Sequence, residues 1–391
     1  MKNYKIFSMI FMWIFGVITL CGFTFIALLW LYDPFWLFHK PIFRATTYHS
    51  DMRIQAKGII DSAEFDSVIL GSSMLENTSA KEAEEKLGGR WVNLSLHSSD
   101  FNERRVLLNY MLKHKNIRKI IFSIDSYVLL NGDNSTISKR IDTKIYMDSF
   151  WYMHDKLRYY FNKKFIKCAL RWSKKIECVG DKKDLEHITR NDYRSNKQHF
   201  GDFINWGSWQ KDTTARQYKE YLENNEHPKT AHTKQLNFDK QKAYLQQTIL
   251  TIIKENPQIE FYLIYPPYPR FFYAIFPPQE MYHYGRNGTE IFTEIKQILP
   301  YLISKATSLK NTKIYGFDNL DYADNIANYC DWAHHYLDMH SMQLDAIANG
   351  THILTPDNID KYLQAMESKI KNYDITPLIK QIQEWEAQSK K

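Results

Sequence analysis

Five short apolar runs, rich in β-branched side chains, alternate with segments of helical period along this chain. The runs are Ser67–Leu70, Trp91–Leu96, Arg118–Ile124, Ile259–Tyr265 and Lys313–Phe317. Between them, Ala80–Leu87, Asn102–Lys113, Phe238–Lys254 and Thr289–Thr307 read as amphipathic helices. A strand that is apolar on both faces must be covered on both faces. Alternation of such strands with helices therefore predicts an α/β fold: a parallel sheet of about five strands between two helical layers.

A second constraint precedes the alternation. Ile6 to Tyr32 is a run of 27 residues without a charge. About 20 apolar residues suffice to cross a bilayer as a helix. A signal peptide has a shorter apolar stretch and ends at a small-residue cleavage site. Here the run continues through Leu28-Leu29-Trp30-Leu31-Tyr32, and no Ala-x-Ala follows. The expectation is an uncleaved single-pass anchor over residues 1–32. Lys2 and Lys5 favour a cytoplasmic N-terminus, which puts the body on the extracytoplasmic, periplasmic side of a cell inner membrane.

Residues 33–60, with Pro34 and Pro41 and no sustained period, read as a stalk. The α/β domain is expected over 61–355. From about 129 to 236 the alternation breaks into an aromatic, charged stretch poor in strand signals. It reads as a helical insertion, either a lid or binding wall or a peripheral layer. Residues 356–391 read as a helical, polar tail. Cys168 and Cys178 are close enough in sequence for a disulfide in an oxidising compartment, and two free thiols fit the spacing equally.

Net charge is +7, from 51 basic and 44 acidic residues spread along the chain. With no supporting motif, a nucleic-acid partner is not expected; weak attraction to anionic membrane or glycan is. No C-x-x-C pair exists, so a thiolate zinc site is not expected. His334, His335 and His340, with Asp338, raise the question of a metal. No compact ligand set is completed elsewhere, so neither metal nor cofactor is expected.

In an open parallel sheet, ligands bind outside the carboxyl ends of the strands. Every chemically suggestive segment of this chain falls at such an end. Gly71-Ser72-Ser73 follows the first run and His97-Ser98-Ser99 the second. Asp125-Ser126-Tyr127 follows the third, Pro266-Pro267-Tyr268-Pro269-Arg270 the fourth, and Asp331-x-x-His334 the fifth. Taken alone, Gly-Ser-Ser is equally well a turn with a helix-capping serine, and Asp-x-x-His a surface pair on a helix. Together, serine, histidine and aspartate are the parts of an activated oxygen nucleophile. His335 is the alternative base if the turn is shifted, and His97 reads as a structural residue at a strand end.

These blocks resemble those of SGNH/GDSL-type hydrolases, which have a flavodoxin-like three-layer fold. Val68-Ile-Leu-Gly71-Ser72-Ser73 looks like the family's first block, with Ser72 at its Asp position and Ser73 on the nucleophile. Asn93-Leu-Ser-Leu-His97-Ser98 looks like the second, with Ser98 where the family usually has glycine. Asp331-x-x-His334 looks like the last, which puts Asp331 and His334 on the acid and base. The third block's usual asparagine is replaced within Ser123-Ile-Asp125-Ser126. The resemblance implies an oxyanion hole drawn from Ser73, Ser98 and Asn102. Tyr265, Tyr268 and Arg270 are candidate contacts to a glycan or leaving group.

Gly-Ser-Ser with a membrane anchor is most similar to the acyl-transfer branch of the family, the DltD-, AlgJ- and AlgX-type proteins. That resemblance implies an acyl-serine intermediate that O-acylates, in the first instance O-acetylates, a cell-envelope polysaccharide. It also implies a membrane-bound O-acyltransferase as acyl supplier. Two alternatives stay open: a carbohydrate esterase or deacetylase, and a non-catalytic scaffold that binds glycan or the membrane acyltransferase.

Overall fold

The computed structural model describes residues 2–130, 140–226, 238–275 and 288–389. The chain divides into two compact units, Met1–Ala63 with Ile141–Ile188, and Glu64–Arg140 with Thr189–Lys391. The stretch expected as one insertion is thus shared between them, and the C-terminal tail belongs to the second.

In the first unit, helix α1 (Lys2–Tyr32) is the one described helix long and apolar enough to cross a membrane. Its side chains are exposed from Tyr4 to Phe23, while Leu29 and Tyr32 are buried. Asp33 ends it by accepting hydrogen bonds from the backbone N–H groups of Leu37, Phe38 and His39. The segment read as a stalk carries buried Phe35, Trp36 and Leu37. It also carries most of helix α2 (Met52–Ser62), which the Asp51 carboxylate caps at the Arg53 N–H. Cys168 and Cys178 are joined as a disulfide.

The second unit is built on a six-stranded sheet in the order β2-β1-β3-β4-β5-β6. Strands β1 (Ser67–Leu70), β2 (Trp91–Asn93), β3 (Lys119–Ser123), β4 (Glu260–Tyr265) and β5 (Thr312–Gly316) are parallel. A sixth strand, β6 (Ile353–Leu354), runs antiparallel to β5 with Tyr315 opposite Ile353. Register places Val68 against both Val92 and Ile120, and Ile121 against Tyr262. Every residue of β1 and β2 is buried, as are most of the other parallel strands' residues, so the sheet is sandwiched as the apolar runs require.

Local chemistry fixes the helices around it. Helix α3 (Ala80–Leu87) starts at Ser79, whose hydroxyl accepts from the Glu82 N–H, and stops at Gly88 with φ 65°. Helix α4 (Phe101–His114) opens on a capping box between Asp100 and Glu103. The helix expected over Phe238–Lys254 is present but includes a π turn at Gln246–Leu250. Strand order reverses between β1 and β3. That reversal opens a crevice beyond their carboxyl ends.

Candidate active site

The crevice is lined first by the turn after β1. Gly71 is required there: a Cβ would meet the Leu75 side chain at 2.8 Å. The turn closes through the Leu75 N–H to the Ser72 carbonyl (3.2 Å) and the Thr78 N–H to the Leu75 carbonyl (3.0 Å). Asn93 pins it from β2, its amide donating to the carbonyls of Leu75 (2.8 Å) and Thr78 (2.9 Å).

The two serines face opposite ways. Ser72 is fully buried. It donates to Asp125 Oδ1 at 2.9 Å and accepts from the Met74 N–H at 3.1 Å. Behind it Asp125 pairs with Arg104 at 2.6 Å, both side chains fully buried. Arg104 also donates to the Ser123 carbonyl, to the Ser99 hydroxyl and to the Ser99 carbonyl. Ser73, partly exposed, points instead to His334, whose Nε2 lies 2.8 Å from the Ser73 Oγ.

The Asp331–His334 segment is a tight turn rather than a helix. Asp331 Oδ1 accepts from the N–H groups of Ala333 (2.9 Å) and His334 (2.8 Å), which holds the carboxylate against the ring. His334 Nδ1 lies 2.7 Å from Asp331 Oδ2 and 2.8 Å from Oδ1. A carboxylate only accepts, so Nδ1 carries the proton and Nε2 is left to accept from Ser73. Burial alone would raise the Asp331 carboxyl. The His334 ring, with Arg194 nearby, outweighs it and holds Asp331 far below the usual carboxylate range. Burial, reinforced by the Arg194 charge, lowers His334 below its ordinary value despite the pull of Asp331. A neutral base bonded to a hydroxyl is the arrangement that proton abstraction needs.

Arg194, Asn77, Met74, His335 and His340 complete the small pocket around Ser73 and His334. Of these five, the sequence marks His335 as the alternative base and His340 only as a metal ligand to be weighed; it singles out none of Arg194, Asn77 and Met74 as a site residue. Arg194 comes from a short segment strapped to the Ser73 turn. Asn77 Oδ1 accepts from the Asn191 N–H (2.8 Å), and Thr189 Oγ1 donates to the Glu76 carbonyl (2.7 Å). Arg194 pairs with buried Glu76 at 2.5 Å. The same segment reaches the other side of the site, where the Tyr193 hydroxyl donates to the Cys330 carbonyl at 3.1 Å. Burial would raise Glu76, but Arg194 and His97 hold it ionised and below its ordinary value. No motif marks Arg194; the only signal was its place in an insertion of unassigned role.

His335 lines the pocket beside His334 with its Nδ1 on the Tyr336 carbonyl, and burial pushes it down to about 4. His340 bonds Thr78 Oγ1 at 2.9 Å. Among the described residues no three His, Cys, Asp or Glu side chains come together to hold a metal. His97 is engaged with Glu76 at 3.3 Å.

The other predicted residues are not brought to the pocket lining. Ser98 adopts φ 52°, the left-handed region that favours glycine. Neither its backbone N–H nor that of Ser73 has a hydrogen-bond partner among the described residues. Asn102 lies in the first turn of α4. Tyr265, Tyr268 and Arg270 are all buried. The Tyr265 hydroxyl bonds Ser126 at 2.9 Å, and Arg270 is held by Asp318 (3.1 Å) and Asp324 (2.7 Å). Their place is in the interior, where Arg270 pairs with Asp318 and the Tyr273 hydroxyl donates to the same carboxylate, and none of them offers a surface to a ligand.

No family model, no curated protein and no solved structure matches this chain.

Proposed function

We propose that the chain is an SGNH-type serine acyl-transfer enzyme, anchored by α1, with its body on the extracytoplasmic side. The hydrogen-bonded series Ser73–His334–Asp331, with links of 2.8 and 2.7 Å, carries this reading. The strand order 2-1-3-4-5 is that of flavodoxin-like folds and supports it, because the series stands at the switch point. A disulfide between Cys168 and Cys178 supports the oxidising side of the membrane.

In the first step His334 Nε2 takes the Ser73 proton as Oγ attacks an ester carbonyl. Asp331 holds the ring in the required tautomer and balances the imidazolium. The unpartnered N–H of Ser73 receives the developing oxyanion, a task that needs no side chain. The resemblance implies a second donor in Ser98, whose N–H is unpartnered too but lies outside the pocket lining. The family's third-block asparagine is absent, and the Asn77 amide and the free edge of Arg194 stand in the pocket as substitutes. His334 then returns its proton to the leaving group. In the second step it activates an acceptor hydroxyl, which releases the acyl group from Ser73.

The acceptor we favour is a hydroxyl of a cell-envelope polysaccharide, with the acyl group supplied through a membrane-bound O-acyltransferase. Water in place of the glycan would make the same site a carbohydrate esterase. The two are separated by following an activated acetyl ester with and without a polysaccharide acceptor. A transferase gives faster turnover and acetylated glycan when acceptor is added. An esterase gives free acetate at an unchanged rate. A folded protein with no turnover, and none lost on Ser73→Ala, would leave the scaffold reading.

A further inference from the structure

In the first unit, the hairpin packed against the end of α1 carries an unusual concentration of charge. Lys163, Lys164, Lys167, Arg171, Lys174 and Lys175 fall within 13 residues that contain no acid, and all six are exposed. Their one ion pair among the described residues is Lys175 to Glu177, at 3.9 Å. Large apolar side chains are exposed among them: Phe161 at 50%, Leu170 at 64% and Ile176 at 64%. Six like charges on one short hairpin repel one another, and apolar groups of this size lose by facing water.

The level of the hairpin relative to a bilayer follows from α1. An apolar helix crosses the hydrocarbon in about 20 residues, so a span that begins at Ile6 reaches the far boundary near Phe25. The Phe161 ring is 6.0 Å from that of Phe25. One to two turns further along, Leu29 and Tyr32 pack with Phe165, Cys168 and Cys178. The Tyr32 hydroxyl donates to the Ser173 carbonyl, and its ring meets Trp172 at 5.5 Å. The hairpin is therefore fixed to the part of α1 that leaves the hydrocarbon, at the depth of the lipid headgroups. A helix shifted to bury this part would drag six cations into hydrocarbon, which is prohibitively costly.

We propose that residues 161–176 form a docking surface for the anionic phospholipid headgroups of the membrane that α1 crosses. The lysines and Arg171 meet headgroup phosphates, while Phe161, Leu170 and Ile176 enter the boundary with the acyl chains. The observations that carry it are charge complementarity and continuity with the apolar span. It rests on the reading of α1 as a membrane span and is independent of the chemistry proposed for Ser73.

The test uses the full chain in lipid nanodiscs, either neutral phosphatidylcholine or phosphatidylcholine with about one third phosphatidylglycerol, read by hydrogen–deuterium exchange. Anionic discs should slow exchange over 161–176 by about fivefold or more relative to neutral discs, and high salt should reverse the difference. A variant with all six cations changed to Gln stays in the disc through α1 and should lose the difference while keeping its disulfide. A second variant, Leu170→Ser with Ile176→Ser, retains the charges and should lose part of it. Equal exchange in neutral and anionic discs overturns the proposal. So does a difference that survives the six substitutions. Protection by a protein or glycan added without lipid, in place of anionic lipid, also overturns it.

Discussion

Ser72 donates its hydroxyl to Asp125 at 2.9 Å, while the next residue, Ser73, turns its hydroxyl out to His334. One residue of rotation along the chain separates a structural hydroxyl from one that a substrate can reach. The two substitutions should therefore part company. Ser72→Ala leaves buried Asp125 short of a donor and should cost about 1–3 kcal/mol of stability. It should leave acylation of Ser73 largely intact. Ser73→Ala should leave stability nearly unchanged and abolish acylation. Denaturant melts and labelling with an activated acetyl ester, run on both variants, check the pair. A Ser72→Ala protein that folds at full stability and cannot be acylated would reverse the assignment.

Ser98 tests whether a backbone group or a side chain serves the oxyanion. Its φ of 52° is strained for serine. Ser98→Gly should relieve that strain, a gain of up to about 1 kcal/mol offset in part by the added freedom of the unfolded chain. Ser98→Ala keeps the N–H and loses the hydroxyl. Both variants should acylate at close to the wild-type rate. A loss of about a hundredfold in Ser98→Ala, the size expected for one oxyanion donor, would assign the role to the hydroxyl.

The strands and the Ser73, Asp331 and His334 positions were legible because each leaves a local pattern. β-branched runs bounded by polar turns announce buried strands, and the chemistry-bearing triplets stand at their ends. Strand β6 is only two residues, Ile353 and Leu354, too short to leave a period. Tyr265, Tyr268 and Arg270 were misleading in one respect. A strand-end tyrosine or arginine looks the same in sequence whether it faces a ligand or a buried carboxylate. Here Asp318, after β5, takes Arg270 inward. Arg194 left no pattern at all, since its role depends on a long-range pairing with Glu76 across 118 residues.

Burial first, and the Arg194 charge after it, lower the pH range over which His334 can act as a base. Arg194 acts on His334 more strongly than Glu76 does in the opposite sense. Asp331 opposes both, while His335 and His340 are themselves held neutral by burial. His334 works as a base only when unprotonated, so acylation should fall with pH through a midpoint below the ordinary histidine value of about 6.5. Arg194→Met combined with Glu76→Gln removes the cation without stranding its partner. Its acid limb should move up toward 6.5, alongside a lower rate. A pH–rate profile unmoved by the double substitution would show that Arg194 acts only as a brace.

The chemistry proposed for this site rests on Ser73 being an activated nucleophile. Its most direct measurement is peptide mapping by mass spectrometry after the full chain, in detergent, reacts briefly with an activated acetyl ester. One acetyl group should be found on Ser73, and it should be absent from Ser73→Ala. In His334→Ala it should form orders of magnitude more slowly, since members of such a series act as a unit. Folded wild-type protein that carries no acetyl group on Ser73, at a pH where His334 is neutral, would contradict the account.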